Sequence, residues 1–154
     1  MRPPLFFTME NSKGHTILIV DDEPDILEFL SYTVRKEGYR VFTARHGEEA
    51  VKLAHQLSPS LILMDVMMPQ MDGIEACQII RKDLQLAQPI IAFLTARSED
   101  YAQIAGFEAG ADDYISKPIR PRLLISKIES LLRRINPERT TEEGHESAGI
   151  VIDR

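Results

Sequence analysis

The stretch of sequence that decides the fold is LILMDVMMP at residues 61–69. Four apolar residues run directly into an acid, and Pro69 with the pair Asp72-Gly73 marks a turn beyond it. An unbroken apolar run of this length, bounded by turn residues, is typical of a strand buried on both faces of a parallel sheet. Asp65 therefore lies where the strand leaves the core, and ligands bind at that edge of open parallel sheets.

The composition of the chain fits one globular domain. The chain has 154 residues, of which 44% are hydrophobic and 27% charged, and its formal net charge is -6. An acidic balance of this kind argues against nucleic-acid binding by this part of the protein. The single cysteine, Cys77, cannot form an internal disulfide, and no apolar run approaches the ~20 residues of a membrane span. We therefore expect a cytoplasmic location.

Strand-like and helix-like segments alternate five times along the chain. β-branched apolar runs predict buried strands, and apolar residues at three-to-four spacing after Pro24 predict a helix with one apolar face. The predicted strands are 16–20, 40–44, 61–65, 90–94 and 112–116; helices begin at 24, 47, 74, 98 and 121, and the last three end at 84, 108 and 134. This alternation predicts an α/β fold: a doubly wound five-stranded parallel sheet with five flanking helices. We expect the flavodoxin-like strand order 2-1-3-4-5 by analogy with known folds of this type, since the alternation alone does not determine it.

Both ends of the chain lie outside the alternating pattern. We expect a flexible leader at 1–15, the α/β domain at 16–135 and a polar linker at 136–147. The segment 148–154 has the composition of a strand. Either it pairs with an exposed edge of the sheet, or it is the first strand of a truncated effector domain.

Polar residues follow or end four of the predicted strands. They are Asp21 and Asp22 after the first strand, Asp65 on the third, Thr95 after the fourth and Lys117 after the fifth. Each has an ordinary structural explanation: a helix N-cap for Asp22, a turn residue for Asp65, a capping hydroxyl for Thr95 and a surface charge for Lys117. In the predicted strand order the first and third strands are neighbours, so Asp22 and Asp65 come together, and the combination favours a functional site.

The combination suits phosphoryl transfer to a carboxylate. Clustered carboxylates repel one another unless a cation shares the site, and oxygen-only ligands suit Mg²⁺. A phosphoryl group in transfer carries negative charge on three oxygens. We predict that Asp65 attacks in line, and that Mg²⁺, Lys117, and the Thr95 hydroxyl with the Ala96 backbone N–H each hold one oxygen. A cis Lys117-Pro118 bond would fix the direction of the ammonium.

Five motifs together resemble the receiver domain of bacterial response regulators. They are Asp21-Asp22, DVMMPQMDG at 65–73, LTA at 94–96, GADDY at 110–114 and Lys117-Pro118, and the resemblance covers about 16–134. It implies that Asp65 takes phosphate from a phosphohistidine of a sensor histidine kinase. It also implies that Asp22, Asp65 and the backbone carbonyl of Met67 bind Mg²⁺ directly, while Asp21 acts largely through water.

The same resemblance implies how the phosphorylated domain would signal. The domain would catalyse only its own phosphorylation and dephosphorylation, so it would not be an enzyme for another substrate. The Thr95 hydroxyl would move onto the phosphate, and the Tyr114 ring would turn inward into the vacated space. This is a shift between two packings of the same chain.

The end of the domain resembles the winged-helix, DNA-binding class of response regulators (OmpR/PhoB-like). In that class, phosphorylated receivers form a homodimer through the fourth helix, fifth strand and fifth helix. The matching residues here are Ile104, Phe107 and Ile125 as an apolar centre, with Asp113 paired to Lys127, and Asp112 to Arg133 or Arg134. DNA would be bound only by an effector domain.

Two other functions remain open at this point. One is a single-domain receiver that signals by binding a protein partner, which a chain ending at Arg154 would favour. The other is a Mg²⁺-dependent phosphatase of the haloacid-dehalogenase type. That type has its Asp nucleophile in an Asp-x-Asp pattern after the first strand, which DDEP at 21–24 does not supply.

Overall fold

A computed structural model describes residues 14–96 and 100–135 of the chain, and side chains at 100–104 lie outside that description. The strands are β1 Thr16–Val20, β2 Arg40–Ala44, β3 Leu61–Asp65, β4 Ile90–Thr95 and β5 Asp113–Ser116. The helices are α1 Pro24–Lys36, α2 Gly47–Leu57, α3 Gly73–Lys82, α4 Asp100–Ala109 and α5 Pro121–Leu132. The predicted linker and terminal strand, and nearly all of the predicted leader, fall outside the described residues.

The sheet confirms the predicted architecture. Its five strands are parallel and follow the order β2-β1-β3-β4-β5. Every residue of β3 and β4 is buried, because helices cover both faces of the sheet. One apolar layer lies between the sheet and helices α1 and α5, around Leu30 and Ile128. The other lies beneath α2, α3 and α4, around Ala54, Cys77 and Ala109.

The strand register brings the predicted functional residues to the same edge of the sheet. Val20 pairs with Met64, so the residue after β1 and the last residue of β3 emerge side by side. Asp65 pairs with Leu94, one residue before the end of β4. The carboxyl ends of the central strands therefore form one edge of the molecule, where parallel sheets bind ligands.

A tight turn joins β3 to α3. The Asp72 side chain caps the helix by accepting a hydrogen bond of 2.8 Å from the backbone N–H of Glu75. The N–H of Gly73 donates to the carbonyl of Val66 at 2.9 Å. A Cβ atom at Gly73 would overlap the carbonyl oxygen of Asp65 and lie 3.1 Å from Cα of Val66. Only glycine therefore lets the start of α3 pack this closely against the Asp65 backbone.

Helix ends differ from the predicted limits by one or two residues. Helix α3 ends at Lys82, two residues early, α4 covers Asp100–Ala109, and α5 ends at Leu132. In the described ranges, no helix is long and apolar enough to cross a membrane.

The apolar face of α1 is narrower than predicted. Its buried side chains include Leu27, Leu30 and Val34, which follow one stripe of the helix. Phe29, one of the apolar residues at three-to-four spacing after Pro24, is 42% exposed. It lies beside the stripe, at a groove that α1 shares with Ile125 and other residues of α5.

Candidate functional site

Three strands deliver charged side chains to one point on the carboxyl edge of the sheet. Nζ of Lys117, which follows β5, lies 3.1 Å from Oδ1 of Asp65 and 3.5 Å from Oδ2 of Asp21. Asp21 and Asp65 are buried, with exposed fractions of 0% and 5%, whereas Asp22 is partly exposed. The structure thus brings together the acids and the lysine that the sequence singled out. The Lys117-Pro118 bond is cis, as predicted.

The acids form a cluster that suits a cation. Carboxylate oxygens of Asp21, Asp22 and Asp65 all lie within 4.8 Å of one another. Burial, followed by the negative charge of Asp21, raises the pKa of Asp65 from 3.8 to about 6, and Lys117 opposes this rise. A hard divalent cation such as Mg²⁺ takes oxygen ligands and would relieve the repulsion. Met67, whose carbonyl was predicted as a further ligand, follows β3 and is 54% exposed.

Lys117 is held as a cation by the same acids. Burial alone would lower its pKa, but the charge and hydrogen bond of Asp65, and then those of Asp21, raise the pKa above its ordinary value. The lysine therefore carries a positive charge at neutral pH. A charged donor beside a buried carboxylate can hold the oxygen of an incoming anionic group.

Thr95 supplies a hydroxyl at the end of β4. The residue is 1% exposed, and its Oγ1 has no hydrogen-bond partner among the described residues. Its carbonyl accepts a hydrogen bond of 2.7 Å from the backbone N–H of Lys117. A buried hydroxyl without a partner is costly, so the site suits a ligand that offers an acceptor oxygen. Ala96, the other predicted donor, follows directly and is exposed.

Tyr114, the second predicted switch residue, lies on β5 and is half-buried. Its ring packs edge-on against two phenylalanines, with ring centres 4.6 Å from Phe107 and 5.8 Å from Phe93. Phe93 is the strand partner of Tyr114 and is fully buried. The ring therefore occupies the space between β4 and α4.

The residues predicted for a dimer come from α4, β5, α5 and the residues directly beside them, and three of their charges already have partners within the chain. Nζ of Lys127 lies 3.3 Å from Asp113, and a guanidinium nitrogen of Arg81 lies 2.9 Å from Asp112. Phe107 is 56% exposed. Arg133 and Arg134 are exposed, Ile125 is partly buried, and the side chain of Ile104 lies outside the described part.

Arg81 is a structural residue that the sequence analysis did not find. Besides Asp112, its guanidinium donates to the carbonyls of Gly110 at 2.8 Å and Pro89 at 2.7 Å. The Asp112 carboxylate also accepts from the backbone N–H of Ile91 at 2.8 Å. Arg81 and Asp112 are 31 residues apart, so no local pattern could predict the contact.

Comparisons with known proteins agree on one family. The protein-family model described as the response regulator receiver domain matches residues 17–129 of this chain. The chain is 46% identical over 118 residues to the alkaline phosphatase synthesis transcriptional regulatory protein PhoP of Bacillus subtilis, covering 77% of this chain and 48% of that protein. It is 41% identical over 139 residues to the transcriptional regulatory protein AfsQ1 of Streptomyces coelicolor, covering 90% and 60%. The chain thus spans about half the length of these relatives.

Solved structures show the same fold. The signal receiver domain of a signal transduction histidine kinase from Syntrophus aciditrophicus matches with a TM-score of 0.73 and 34% identity, over 79% of this chain and 92% of that one. The chemotaxis protein CheY4 of Vibrio cholerae matches with a TM-score of 0.72 and 31% identity, over 76% and 98%.

Proposed function

The chain belongs to the response regulator receiver family, the phosphoacceptor domains of two-component systems, and we propose that Asp65 is the residue that accepts the phosphoryl group. The observation that carries this proposal is the buried Asp65 carboxylate at the end of β3, with the Lys117 ammonium 3.1 Å away. The phosphodonor is a phosphohistidine of a sensor histidine kinase. Membership of this family leaves no support for the haloacid-dehalogenase alternative.

The transfer exchanges one bond to phosphorus for another. An Asp65 oxygen attacks in line and forms the new P–O bond, while the P–N bond to histidine breaks and its electron pair stays on the imidazole nitrogen. Lys117 holds one phosphoryl oxygen, and the Thr95 hydroxyl with the Ala96 N–H holds another. The chain turns over no separate substrate in this mechanism.

We propose Mg²⁺ as the cation of the acidic cluster. The ligands would be Asp22, Asp65 and the carbonyl of Met67, with Asp21 acting largely through water. When bound, Mg²⁺ supplies positive charge to the carboxylates and to the phosphoryl oxygens. Burial of Asp21 and Asp65 keeps the two acids in place for the metal and excludes bulk water from them.

We propose that the output is transcriptional. Both curated relatives are transcriptional regulatory proteins, and the matched part covers 48% and 60% of their lengths, which favours an effector domain beyond the receiver. We assign that effector domain to the winged-helix class from the resemblance of the end of the receiver to the OmpR/PhoB-like regulators. Phosphorylation would shift Thr95 and Tyr114 and favour a homodimer through α4, β5 and α5. Asp113→Lys would then weaken phosphorylation-driven association in sedimentation velocity, and unchanged association would argue against this interface.

Intact mass measurement tests the central proposal. The chain is incubated with Mg²⁺ and acetyl phosphate, and the Asp65→Asn variant serves as the control because it keeps the size of the side chain. We expect the gain of one phosphoryl group in the native chain only, and its loss when EDTA removes the metal. Equal phosphorylation of the Asn variant would exclude Asp65 as the acceptor.

A further inference from the structure

Gly106 lies inside helix α4, where glycine is a poor helix former. The residue is buried against β4 and β5. A Cβ atom built on it would overlap the hydroxyl oxygen of Tyr114 and lie 2.6 Å from Cε2 and 2.8 Å from Cδ2 of Phe93. Both distances are far below ordinary van der Waals contact. The bare backbone of Gly106 therefore makes the space that the end of the Tyr114 ring occupies.

The two aromatic neighbours of Tyr114 in the described part of the chain cannot supply that space. Phe93 is fully buried and holds its place as the strand partner of Tyr114. Phe107, the residue after Gly106, closes the outer side of the ring with a centre-to-centre distance of 4.6 Å. The ring is thus held between two aromatic side chains, and its hydroxyl end lies against the one residue of this turn of α4 that has no side chain.

We propose that Gly106 is the positioning residue of the Tyr114 switch: its missing side chain permits the packing of Tyr114 against α4, and any side chain there excludes that packing. The proposal rests on the role given to Tyr114 in the proposed function. It goes beyond that role because one determinant of the equilibrium between the two packings of Tyr114 would lie on α4 rather than at the phosphorylation site. A chain can shift between two packings only if both are sterically allowed, and Gly106 allows the packing of the Tyr114 ring against α4.

The test uses the whole chain labelled with 3-fluorotyrosine, which gives at most four ¹⁹F resonances because the chain has four tyrosines. Tyr114→Phe assigns the resonance of Tyr114. In Gly106→Ala without phosphodonor, we expect that resonance to move toward the position of solvent-exposed fluorotyrosine. Acetyl phosphate with Mg²⁺ should shift the resonance in the native chain and leave it almost unmoved in the variant. A Tyr114 resonance unchanged by Gly106→Ala would overturn the proposal.

Two further variants distinguish a specific effect on Tyr114 packing from a general loss of stability. Gly106→Ala is combined with Tyr114→Ala, and Glu108→Ala at an exposed position of the same helix controls for helix stability. If Gly106→Ala lowers the urea midpoint with Tyr114 present, the same change should lower it less in the Tyr114→Ala background, because only the overlap with Phe93 then remains. A loss of the same size in both backgrounds would show that Tyr114 is not what Gly106 accommodates, and would overturn the proposal.

The outcome is independent of the proposed phosphorylation. The ¹⁹F change is measured in the chain without phosphodonor, whereas the phosphoacceptor role is decided by mass. A native chain that gains phosphate, together with an unmoved Tyr114 resonance in Gly106→Ala, would refute the Gly106 proposal alone. A moved resonance in a chain that never gains phosphate would refute the phosphoacceptor proposal alone.

Discussion

Nζ of Lys117 lies 3.1 Å from Oδ1 of Asp65, although 52 residues separate the two in the chain. Lys117 follows β5 and Asp65 ends β3, and β4 lies between these strands. The lysine side chain therefore reaches across the end of β4, where Thr95 lies. The contact links the carboxyl ends of β3 and β5 across β4, and it directs the positive charge of Lys117 at the Asp65 oxygen that would receive phosphate.

The first prediction concerns the charge of Lys117. Lys117→Met keeps most of the side chain but removes the ammonium that would hold a phosphoryl oxygen. Loss of one such donor costs about 100-fold or more in rate, so phosphorylation by acetyl phosphate should slow by that order. Lys127→Met is the matched control, because Lys127 pairs with Asp113 away from the site. Equal rates for the two variants, measured by intact mass against time, would contradict the role of Lys117.

The second prediction is a pH dependence of stability in the presence of EDTA. The pKa of Asp65 is about 6 in the folded chain against an ordinary 3.8, because of burial and then the charge of Asp21. Between these pKa values the folded chain binds more protons than the unfolded chain. The free energy of unfolding should therefore fall as pH rises from about 4 to about 7, by roughly 3 kcal/mol at most, and then level off.

Asp65→Asn isolates this contribution to stability. The variant cannot ionise at the site, so it should lack this part of the pH dependence and be the more stable chain at pH 7. Urea denaturation at several pH values measures both effects, and Glu28→Gln on the exposed side of α1 is the control. A native chain and Asn variant with parallel pH profiles would show that Asp65 keeps an ordinary pKa.

The third prediction concerns metal binding. A cation that binds only the folded chain stabilises it by about 1.4 kcal/mol when its concentration is about tenfold above Kd. Added Mg²⁺ should therefore raise the urea midpoint of the native chain. Asp22→Asn should lose most of this effect, because it removes the most accessible carboxylate of the cluster. Asp25→Asn, an exposed acid in the first turn of α1, should respond to Mg²⁺ like the native chain.

The sequence predicts the strands and the acidic site because both follow from local patterns, whereas the strand order is expected by analogy with known folds. Apolar runs mark the strands, and the acids follow them directly, so the parallel topology brings Asp21 and Asp65 together. Local sequence patterns do not predict contacts that depend on packing between distant segments of the chain. Three such features depend on how the helices pack against the sheet: the close approach of Gly106 to Tyr114, the ion pair between Arg81 and Asp112, and the exposure of Phe29. Periodicity assigns a residue to a helix but does not fix which neighbour its side chain meets.

The last prediction concerns Arg81 and Asp112. The Arg81 guanidinium joins the end of α3 to the loops before β4 and β5, through the carbonyls of Pro89 and Gly110 and the Asp112 carboxylate. Arg81→Met keeps the aliphatic stem but leaves these partners without their donor. We expect a loss of roughly 2–3 kcal/mol in the free energy of unfolding. Lys82→Met, at the exposed neighbouring position, should change it by less than about 0.5 kcal/mol.

A double-mutant cycle then separates two roles for Asp112. If Asp112 serves the fold through Arg81, Asp112→Asn should destabilise the unphosphorylated chain, and its effect should shrink when Arg81 is already Met, with a coupling of about 1 kcal/mol. If Asp112 serves a dimer through Arg133 or Arg134, Asp112→Asn should leave unfolding unchanged and weaken association of the phosphorylated chain. The 2.9 Å contact with Arg81 favours the first result, because an interchain partner would have to displace an ion pair that already exists.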